Sequence, residues 1–396
     1  MKHIGTIVRG IKTPIIKSDM NLKEVVVNSL IDASIEANFS FNDKDVVAIT
    51  ESVVARCENN YVNMDNICCD IKRKYNTTHI GLVFPTPVSR NRFSLILKGI
   101  ARAMDKITML LSYPDDEVGN CLFDPNLVYE NNLNPYSDVL NEKEYRTYFK
   151  NATHIFTGVD YLKYFREICK KENCEIEYIF TTNPVEILNY TKNILVCNIH
   201  NRQRTKEILK NHGALTIYGT DDILTESING SGFNPKYGLL GSNMATDDTL
   251  KLFPKDGEIL VNDIQKMLKE KTNKNIEVMV YGDGAFKDPV GKIWELADPV
   301  VAPFYTKGLE GTPNELKLKY LTDNKYSKLT GEDLNNALID EIKNKNNNLI
   351  GKDVSLGTTP RRYTDLLGSL ADLTSGSGDK GTPVVLIQNY FDNYSN

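Results

Sequence analysis

The stretch CEIEYIFTTNPVEILNYTKNILVCNIHNRQRTKEILKNHGALTIYG, residues 174–219, alternates short apolar runs with amphipathic segments. The runs IEYIF, NILVCNI and ALTIYG are typical of buried strands, whereas RQRTKEILKNH has the apolar spacing of a helix. The same pattern begins near Ala152 with a strand-like IFTG and a helix-like YLKYFREICKKE. Short strands separated by helices need crossover connections, so the pattern predicts an α/β fold with a mostly parallel sheet.

Strand-like and helix-like segments also alternate on both sides of this stretch. The spacing of apolar residues predicts strands over 45–50, 79–84, 107–111, 276–281 and 383–388, and helices over 21–38, 89–104, 261–271, 331–343 and 361–373.

Two polar segments interrupt the alternation. Residues 115–148 are rich in Asn, Pro and Tyr, which indicates a long connection with little regular structure, and a domain boundary there. The glycine- and serine-rich residues 229–235 indicate a second boundary. We therefore expect the chain to divide into three structural parts, residues 1–100, 101–228 and 229–396.

The composition limits the classes of function. Lys and Arg number 47 against 52 acidic residues, a net charge of -5, so we expect no nucleic-acid partner. No apolar run approaches the roughly 18 to 20 residues that span a bilayer, and the first residues lack a signal-peptide pattern. We expect a cytoplasmic protein without membrane contact. Its seven cysteines, an odd and scattered set, indicate reduced thiols rather than a disulfide framework or a zinc site.

A glycine-rich segment, Thr374 to Thr382, lies between a predicted helix and the strand over 383–388. Glycines let backbone N–H groups approach an anion closely, so the segment is a candidate phosphate cradle. The alternative is a plain connecting loop. The segment is not a P-loop, because GxxxxGK[ST] is absent and a strand follows it.

Charged residues near predicted strand and helix ends are the other candidates. Asp283 follows the strand over 276–281, where a carboxylate can hold a divalent cation that bridges nucleotide phosphates. A simple turn is the alternative reading. Arg90, Arg92 and Arg102 are suited to pair with carboxylate or phosphate, although surface ion pairs are the commoner use of such residues. No HExxH or GxSxG pattern is present.

Several motifs in order resemble the coenzyme F(420)-0:L-glutamate ligase family. They are GIKTPII (10–16), DVVAITESVVAR (45–56), GLLGSN (238–243), VMVYGDG (278–284), and LLGSLADL (366–373) with SGSGDKGTPVVLI (375–387). The resemblance covers the outer portions of the chain. It implies a discontinuous ligase-like core, with residues 101–228 as an inserted parallel α/β, Rossmann-like domain.

The resemblance also implies the reaction partners and the site. It implies GTP or ATP as co-substrate, Mg²⁺ or Mn²⁺, L-glutamate, a small-molecule acceptor and a homodimer. Asp283 and Arg56 are the catalytic candidates, and Asp283 and Asp379 are the metal candidates. The nucleotide-binding candidates are Thr13, Pro14, Ile15, Ile16, Glu51, Ser52, Arg56, Asn243, Ser375, Gly376, Ser377, Gly378, Asp379 and Lys380.

Two positions depart from the family pattern. Leu240 stands where the family has a metal-binding aspartate, and Gly376 stands where it has an acidic or amide metal ligand. An aliphatic side chain offers Mg²⁺ or Mn²⁺ no oxygen donor. Asp247 and Asp248 are possible substitutes, besides Asp283 and Asp379.

Three functional hypotheses follow. The first is an amide ligase that forms an acyl phosphate on a carboxylate and lets the amine of glutamate attack it. The second is a non-catalytic nucleotide- or metabolite-binding protein on the same fold, which Leu240 and Gly376 favour. The third is a ligase for another γ-carboxylate, such as a folate, with the central region as its specificity domain.

Overall fold

The computed structural model of the protein describes eight stretches of the chain, and of residues 90–92 only the backbone. The stretches are residues 3–18, 20–85, 90–150, 152–154, 158–283, 299–355, 361–375 and 378–395. The chain divides into two units. The first unit comprises Met1–Val54, Asp256–Gly284 and Val300–Asn396, and the second comprises Ala55–Lys255 and Ala285–Pro299.

Strands and helices alternate along much of the chain. The strands are β1 (Ile7–Ile11), β2 (Val46–Thr50), β3 (Tyr61–Asn63), β4 (His79–Val83), β5 (Lys106–Leu111), β6 (Leu140–Asn141), β7 (Glu175–Phe180), β8 (Asn193–Val196), β9 (Thr216–Gly219), β10 (Asn243–Thr246), β11 (Thr249–Lys251), β12 (Glu277–Tyr281), β13 (Phe304–Tyr305) and β14 (Val384–Gln388). The helices are α1 (Leu22–Glu36), α2 (Glu51–Cys57), α3 (Met64–Lys74), α4 (Arg90–Ala101), α5 (Asn126–Glu130), α6 (Glu142–Tyr148), α7 (Tyr161–Lys171), α8 (Arg202–Asn211), α9 (Gly257–Thr272), α10 (Leu318–Asp323), α11 (Gly331–Lys343) and α12 (Tyr363–Ser375).

The first unit contains a mixed sheet whose described strands have the order β1-β14-β2-β12-β13. β2 and β12 are parallel, and β14 is antiparallel to both β1 and β2. Every residue of β2 from Val46 to Ile49 is buried, because the sheet is covered on both faces. Leu367 and Ala371 of α12 pack with Ala48 and Val385 in one core cluster.

The second unit contains a sheet whose described strands have the order β6-β7-β5-β4-β8-β9. All neighbouring pairs are parallel except β6 with β7. The chain builds outward from β4 through β5 to β7, then returns to the other side of β4 for β8 and β9. A small antiparallel sheet, β10-β11-β3, completes this unit.

The mixed α/β class predicted from the sequence is confirmed. The bounds of the two units differ from the predicted boundaries near residues 101 and 229. β4 precedes residue 101 yet pairs with β5, and β11 follows residue 229 yet pairs with β3. Such pairings between distant parts of the chain leave no local signal in composition.

Two local predictions were wrong. Residues 115–148 contain α5, β6 and α6 rather than little regular structure. α12 extends to Ser375, so the predicted glycine-rich loop begins later than Thr374. The strand predicted for IFTG covers residues 155–158, of which 155–157 lie outside the described residues.

Two other expectations can be compared with the structure. No disulfide joins the seven cysteines, all of which lie within the described stretches. Within those same stretches, no helix has both the length and the apolar character needed to cross a membrane.

Candidate functional site

Four of the predicted site segments meet at one edge of the sheet in the first unit. The register places Ile11 of β1 beside Val384 of β14, Val384 beside Ile49 of β2, and Thr50 beside Tyr281 of β12. The carboxyl ends of β1, β2 and β12 therefore lie at the same edge as the amino end of β14. This is the edge at which open α/β sheets bind ligands.

The segments that continue from these strands carry the predicted residues. They are Thr13–Ile16 after β1, Glu51 and Ser52 after β2, Asp283 after β12, and Ser375, Gly378, Asp379 and Lys380 before β14. Gly376 and Ser377 lie outside the described residues.

Backbone hydrogen bonds hold this edge together. The Thr13 N–H donates to the carbonyl oxygen of Gly381 at 3.4 Å, and the Thr50 N–H donates to that of Pro383 at 3.0 Å. Gly381 has φ +65°, a left-handed conformation that favours glycine. The segment after β1 and the start of β14 therefore lie side by side.

The predicted residues after β1 differ in exposure. Ile15 is 78% exposed, whereas Ile16 is 5% exposed. Pro14 is exposed, and its carbonyl oxygen accepts a hydrogen bond from the Thr13 hydroxyl at 2.9 Å. Ile16 is therefore a packing residue, and Ile15 is available to contact a ligand.

The end of β2 passes directly into α2 at Glu51. The Glu51 side chain is 4% exposed, and it lies in the first turn of α2, where the helix dipole favours a carboxylate. Ser52 is half-buried. Glu51 is consequently held at the sheet edge by burial, and the adjoining Ser52 hydroxyl is the more accessible group.

The end of β12 brings an aromatic residue under the carboxyl end of α12. Tyr281 is 1% exposed, and burial raises the pKa of its hydroxyl to about 12, although the nearby Ser375 hydroxyl lowers it. Among the described residues, no hydrogen-bond partner meets that hydroxyl with good geometry. Tyr281 is therefore a neutral phenol at neutral pH. Asp283, two residues later, is half-buried.

Other predicted residues belong to the second unit. Arg56, in the last turn of α2, is exposed, and Asn243 at the start of β10 is half-buried. Asp248 forms an ion pair with Lys98 at 2.7 Å, so the structure gives it another role than the possible metal ligand. Asp247 is exposed.

The predicted arginines have ordinary surroundings where the structure describes them. Arg102 pairs with Asp65 and Glu172 at 2.7 Å and 2.9 Å, which is the surface ion-pair reading. The side chains of Arg90 and Arg92 lie outside the description.

The donor set limits the kind of metal site that the chain can build. No group of three or more His, Cys, Asp or Glu side chains that could hold a metal occurs in the described stretches. Leu240 is 5% exposed and offers no oxygen donor. Mg²⁺ is commonly held by one or two carboxylates together with substrate phosphates and water. The two carboxylates of Asp283 and Asp379 are the number that such a shared site requires. They are too few for a site in which the protein supplies every ligand.

Comparison with protein families identifies the relatives of this chain. A family model described as F420-0:Gamma-glutamyl ligase matches residues 10–389, nearly the whole chain. The chain belongs to the F420-0:gamma-glutamyl ligase family. The match includes residues 101–228, for which the motifs alone showed no resemblance. Comparison with curated proteins gave no significant match.

The gamma-glutamyl ligases are enzymes that act on small molecules, so membership in this family implies a ligase with substrates of that class. Two residues at the shared sheet edge, Tyr281 and Thr382, lie inside predicted segments but are not among the predicted site residues. Tyr281 ends the apolar run of β12, a position typical of core residues. Thr382 gives no local signal of its closeness to Gly10 of β1, because that closeness arises from strand pairing.

Proposed function

We propose that the protein is a nucleotide-dependent ligase that joins L-glutamate, or a similar amino acid, to a carboxylate of a cofactor-like acceptor through an acyl phosphate. The observation that supports this most is the meeting of the four predicted segments at one sheet edge. Membership in the gamma-glutamyl ligase family supports the ligase class.

The reaction has two steps. An acceptor carboxylate oxygen attacks the γ-phosphorus of GTP or ATP, the bond to the bridging oxygen breaks, and the nucleoside diphosphate leaves. The glutamate amine then attacks the acyl carbon and loses a proton, and inorganic phosphate leaves. The result is an amide, a nucleoside diphosphate and phosphate.

The residues at the edge have separate tasks in this proposal. Backbone N–H groups of the segment from Ser375 to Lys380 hold phosphate oxygens, and the Lys380 side chain adds a positive charge. Ser52 and the Thr13–Ile16 segment contact the nucleotide. Arg56 is proposed as a catalytic and nucleotide-binding residue, and Asn243 as a nucleotide-binding residue. Only the resemblance to the family supports these two roles.

Asp283 and Asp379 are the residues that would hold Mg²⁺ or Mn²⁺, together with the nucleotide phosphates. The cation supplies neutralisation of the phosphoryl oxygens. The proposal keeps an inserted Rossmann-like α/β part of the chain, with the bounds of the second unit in place of residues 101–228, as well as a homodimer in the cytoplasm.

Titration calorimetry with GDP, GTP and ATP, each with and without Mn²⁺, tests this proposal. We expect binding that strengthens with Mn²⁺ and loses this dependence in Asp283→Ala. Asp323→Ala, which removes an exposed carboxylate of α10 in the first unit, is the matched control and is expected to bind as the wild type does. Phosphate release that requires both glutamate and an acceptor carboxylate completes the test. Absence of nucleotide binding, or equal binding by both variants in Mn²⁺, would overturn the assignment.

A second candidate is a non-catalytic nucleotide-binding protein on the same fold. The specific observation for it is Leu240, a buried aliphatic side chain where the family has a metal-binding aspartate. Nucleotide binding that is equally tight with and without Mn²⁺, with no phosphate release, would select this candidate.

A further inference from the structure

Thr382 connects two segments of the proposed nucleotide site. Its hydroxyl donates a hydrogen bond to the carbonyl oxygen of Ser375, seven residues earlier. Ser375 is the last residue of α12, where carbonyl oxygens lack partners within the helix. Thr382 therefore fastens the end of α12 to the start of β14.

The methyl group of Thr382 faces the N-terminal strand. A Cβ atom placed on Gly10 would lie 3.1 Å from Cγ2 and 3.2 Å from Cβ of Thr382, a closer approach than ordinary van der Waals contact. Only glycine at position 10 leaves Thr382 undisturbed. The side chain thus contacts the end of α12 with its hydroxyl and faces β1 with its methyl.

Both neighbours of Thr382 are also held by hydrogen bonds. Gly381 accepts from the Thr13 N–H, and Pro383 accepts from the Thr50 N–H. A shift of Thr382 that moves its backbone would also move Gly381, whose carbonyl oxygen accepts from the Thr13 N–H. Thr13 lies in the segment that follows β1.

We propose that Thr382 is a positioning residue that couples the Thr13–Ile16 segment to Ser375 at the end of α12, so that these described parts of the site are held in place before a nucleotide binds. This inference rests on the proposed function, because it concerns nucleotide affinity at that site. Segments fixed in advance lose less conformational freedom on binding, which raises affinity.

The alternative is that the hydroxyl simply caps α12. A cap with no further role would change the stability of the protein and leave nucleotide affinity as it is. The coupling also predicts that Gly10→Ala acts through Thr382, which a simple cap does not.

The test compares Thr382→Val, which keeps the shape and loses the hydroxyl, with Thr382→Ser, which keeps the hydroxyl. Thr322→Val is the matched control, because the Thr322 hydroxyl donates to the carbonyl oxygen of Leu318 within α10, away from the site. We expect the dissociation constant for GDP to rise roughly tenfold in Thr382→Val, the size of one net hydrogen bond. Thr382→Ser is expected to recover most of that loss, and Thr322→Val to bind as the wild type does.

A double-mutant cycle with Gly10→Ala tests the coupling. Gly10→Ala alone is expected to weaken GDP binding by displacing the Thr382 side chain from Ser375. It is expected to add little in the Thr382→Val background, because the hydrogen bond from residue 382 to Ser375 is already lost there. Purely additive effects, or wild-type affinity in Thr382→Val, would overturn the inference.

Hydrogen exchange without nucleotide separates this inference from the proposed function. Faster exchange at Thr13 in Thr382→Val than in Thr322→Val is expected, whether or not the protein binds GDP. Unchanged exchange refutes the coupling itself, even if the wild type binds GDP. Failure of the wild type to bind any nucleotide overturns the proposed function and with it the link between Thr382 and affinity. If Thr382→Val does not fold, Thr382→Ser and Gly10→Ala still give both measurements.

Discussion

Replacing Asp70 by asparagine is expected to destabilise the second unit by about 3 kcal/mol. The Asp70 side chain is fully buried on α3, and its carboxylate accepts from the Leu224 N–H at 2.7 Å. Lys74 lies 2.8 Å from one carboxylate oxygen and 3.0 Å from the other, and Arg73 lies at 2.8 Å.

The magnitude follows from these contacts. A hydrogen bond from a backbone N–H to a charged group contributes roughly 1.5 to 3 kcal/mol, and breaking a buried ion pair costs roughly 3 to 5 kcal/mol. The Lys74 side chain is only 12% exposed, so water can do little to solvate its ammonium group once the Asp70 carboxylate is gone. The Arg73 side chain is 48% exposed, so its ion pair with Asp70 adds at most about 1 kcal/mol. Asparagine keeps one acceptor oxygen, which reduces the total to about 3 kcal/mol.

The assay is urea unfolding, together with hydrogen exchange at Leu224, which reports the second unit even if the units unfold separately. Asp65→Asn on the same helix is the control. Its carboxylate is 72% exposed and pairs with Arg102, so we expect a loss below about 1 kcal/mol. Equal losses in the two variants, or unchanged exchange at Leu224, would refute the reasoning from burial.

Three further predictions concern the second unit. Burial raises the pKa of Asp116 to about 6, so the folded state keeps a proton that the unfolded chain releases near 3.8. As pH rises from about 4 to about 6, we therefore expect the unfolding free energy of the wild type to fall relative to that of Asp116→Asn, and parallel pH profiles of the two would contradict this. The Glu117 carboxylate accepts from the N–H groups of residues 199–201 ahead of α8, so Glu117→Gln should speed their hydrogen exchange roughly tenfold or more, and an unchanged rate would contradict this. Gly238 has φ +52°, and a Cβ there would lie 2.5 Å from two carbonyl oxygens, whereas Gly213 has φ +92° and open space around its Cβ position. Gly238→Ala should therefore lower the melting temperature far more than Gly213→Ala, and similar decreases would show that crowding is unimportant.

The strands were largely predictable because their signal is local. VVAIT of β2 and VVLIQ of β14 are continuous apolar runs, which is the pattern of strands buried on both faces. α6 was missed although a signal existed, since Asn141 and Glu144 form a capping box that its sequence displays. The helix would have been found from that pair.

The candidate site was predictable only in part. The motifs indicated which segments matter, and the strand directions then place four of them at one edge. Asp70 carried no signal, because its partner Leu224 is 154 residues away in the sequence. The approach of Thr382 to Gly10 arises from the same kind of distant pairing. Side-chain partners of this kind depend on the finished sheet and not on local propensity.

The position of β14 between β1 and β2 has a consequence for how the chain is made. Its first partner leaves the ribosome more than 370 residues before it, since Arg9 pairs with Leu386. Until then β1 and β2 each present an unpaired edge, which is a template for association with other chains. The second unit has all of its described strands by Lys251 and can form earlier. The edges of β1 and β2 in the nascent protein therefore need shielding until β14 has been synthesised. A chain truncated before Val384 is expected to be prone to aggregation.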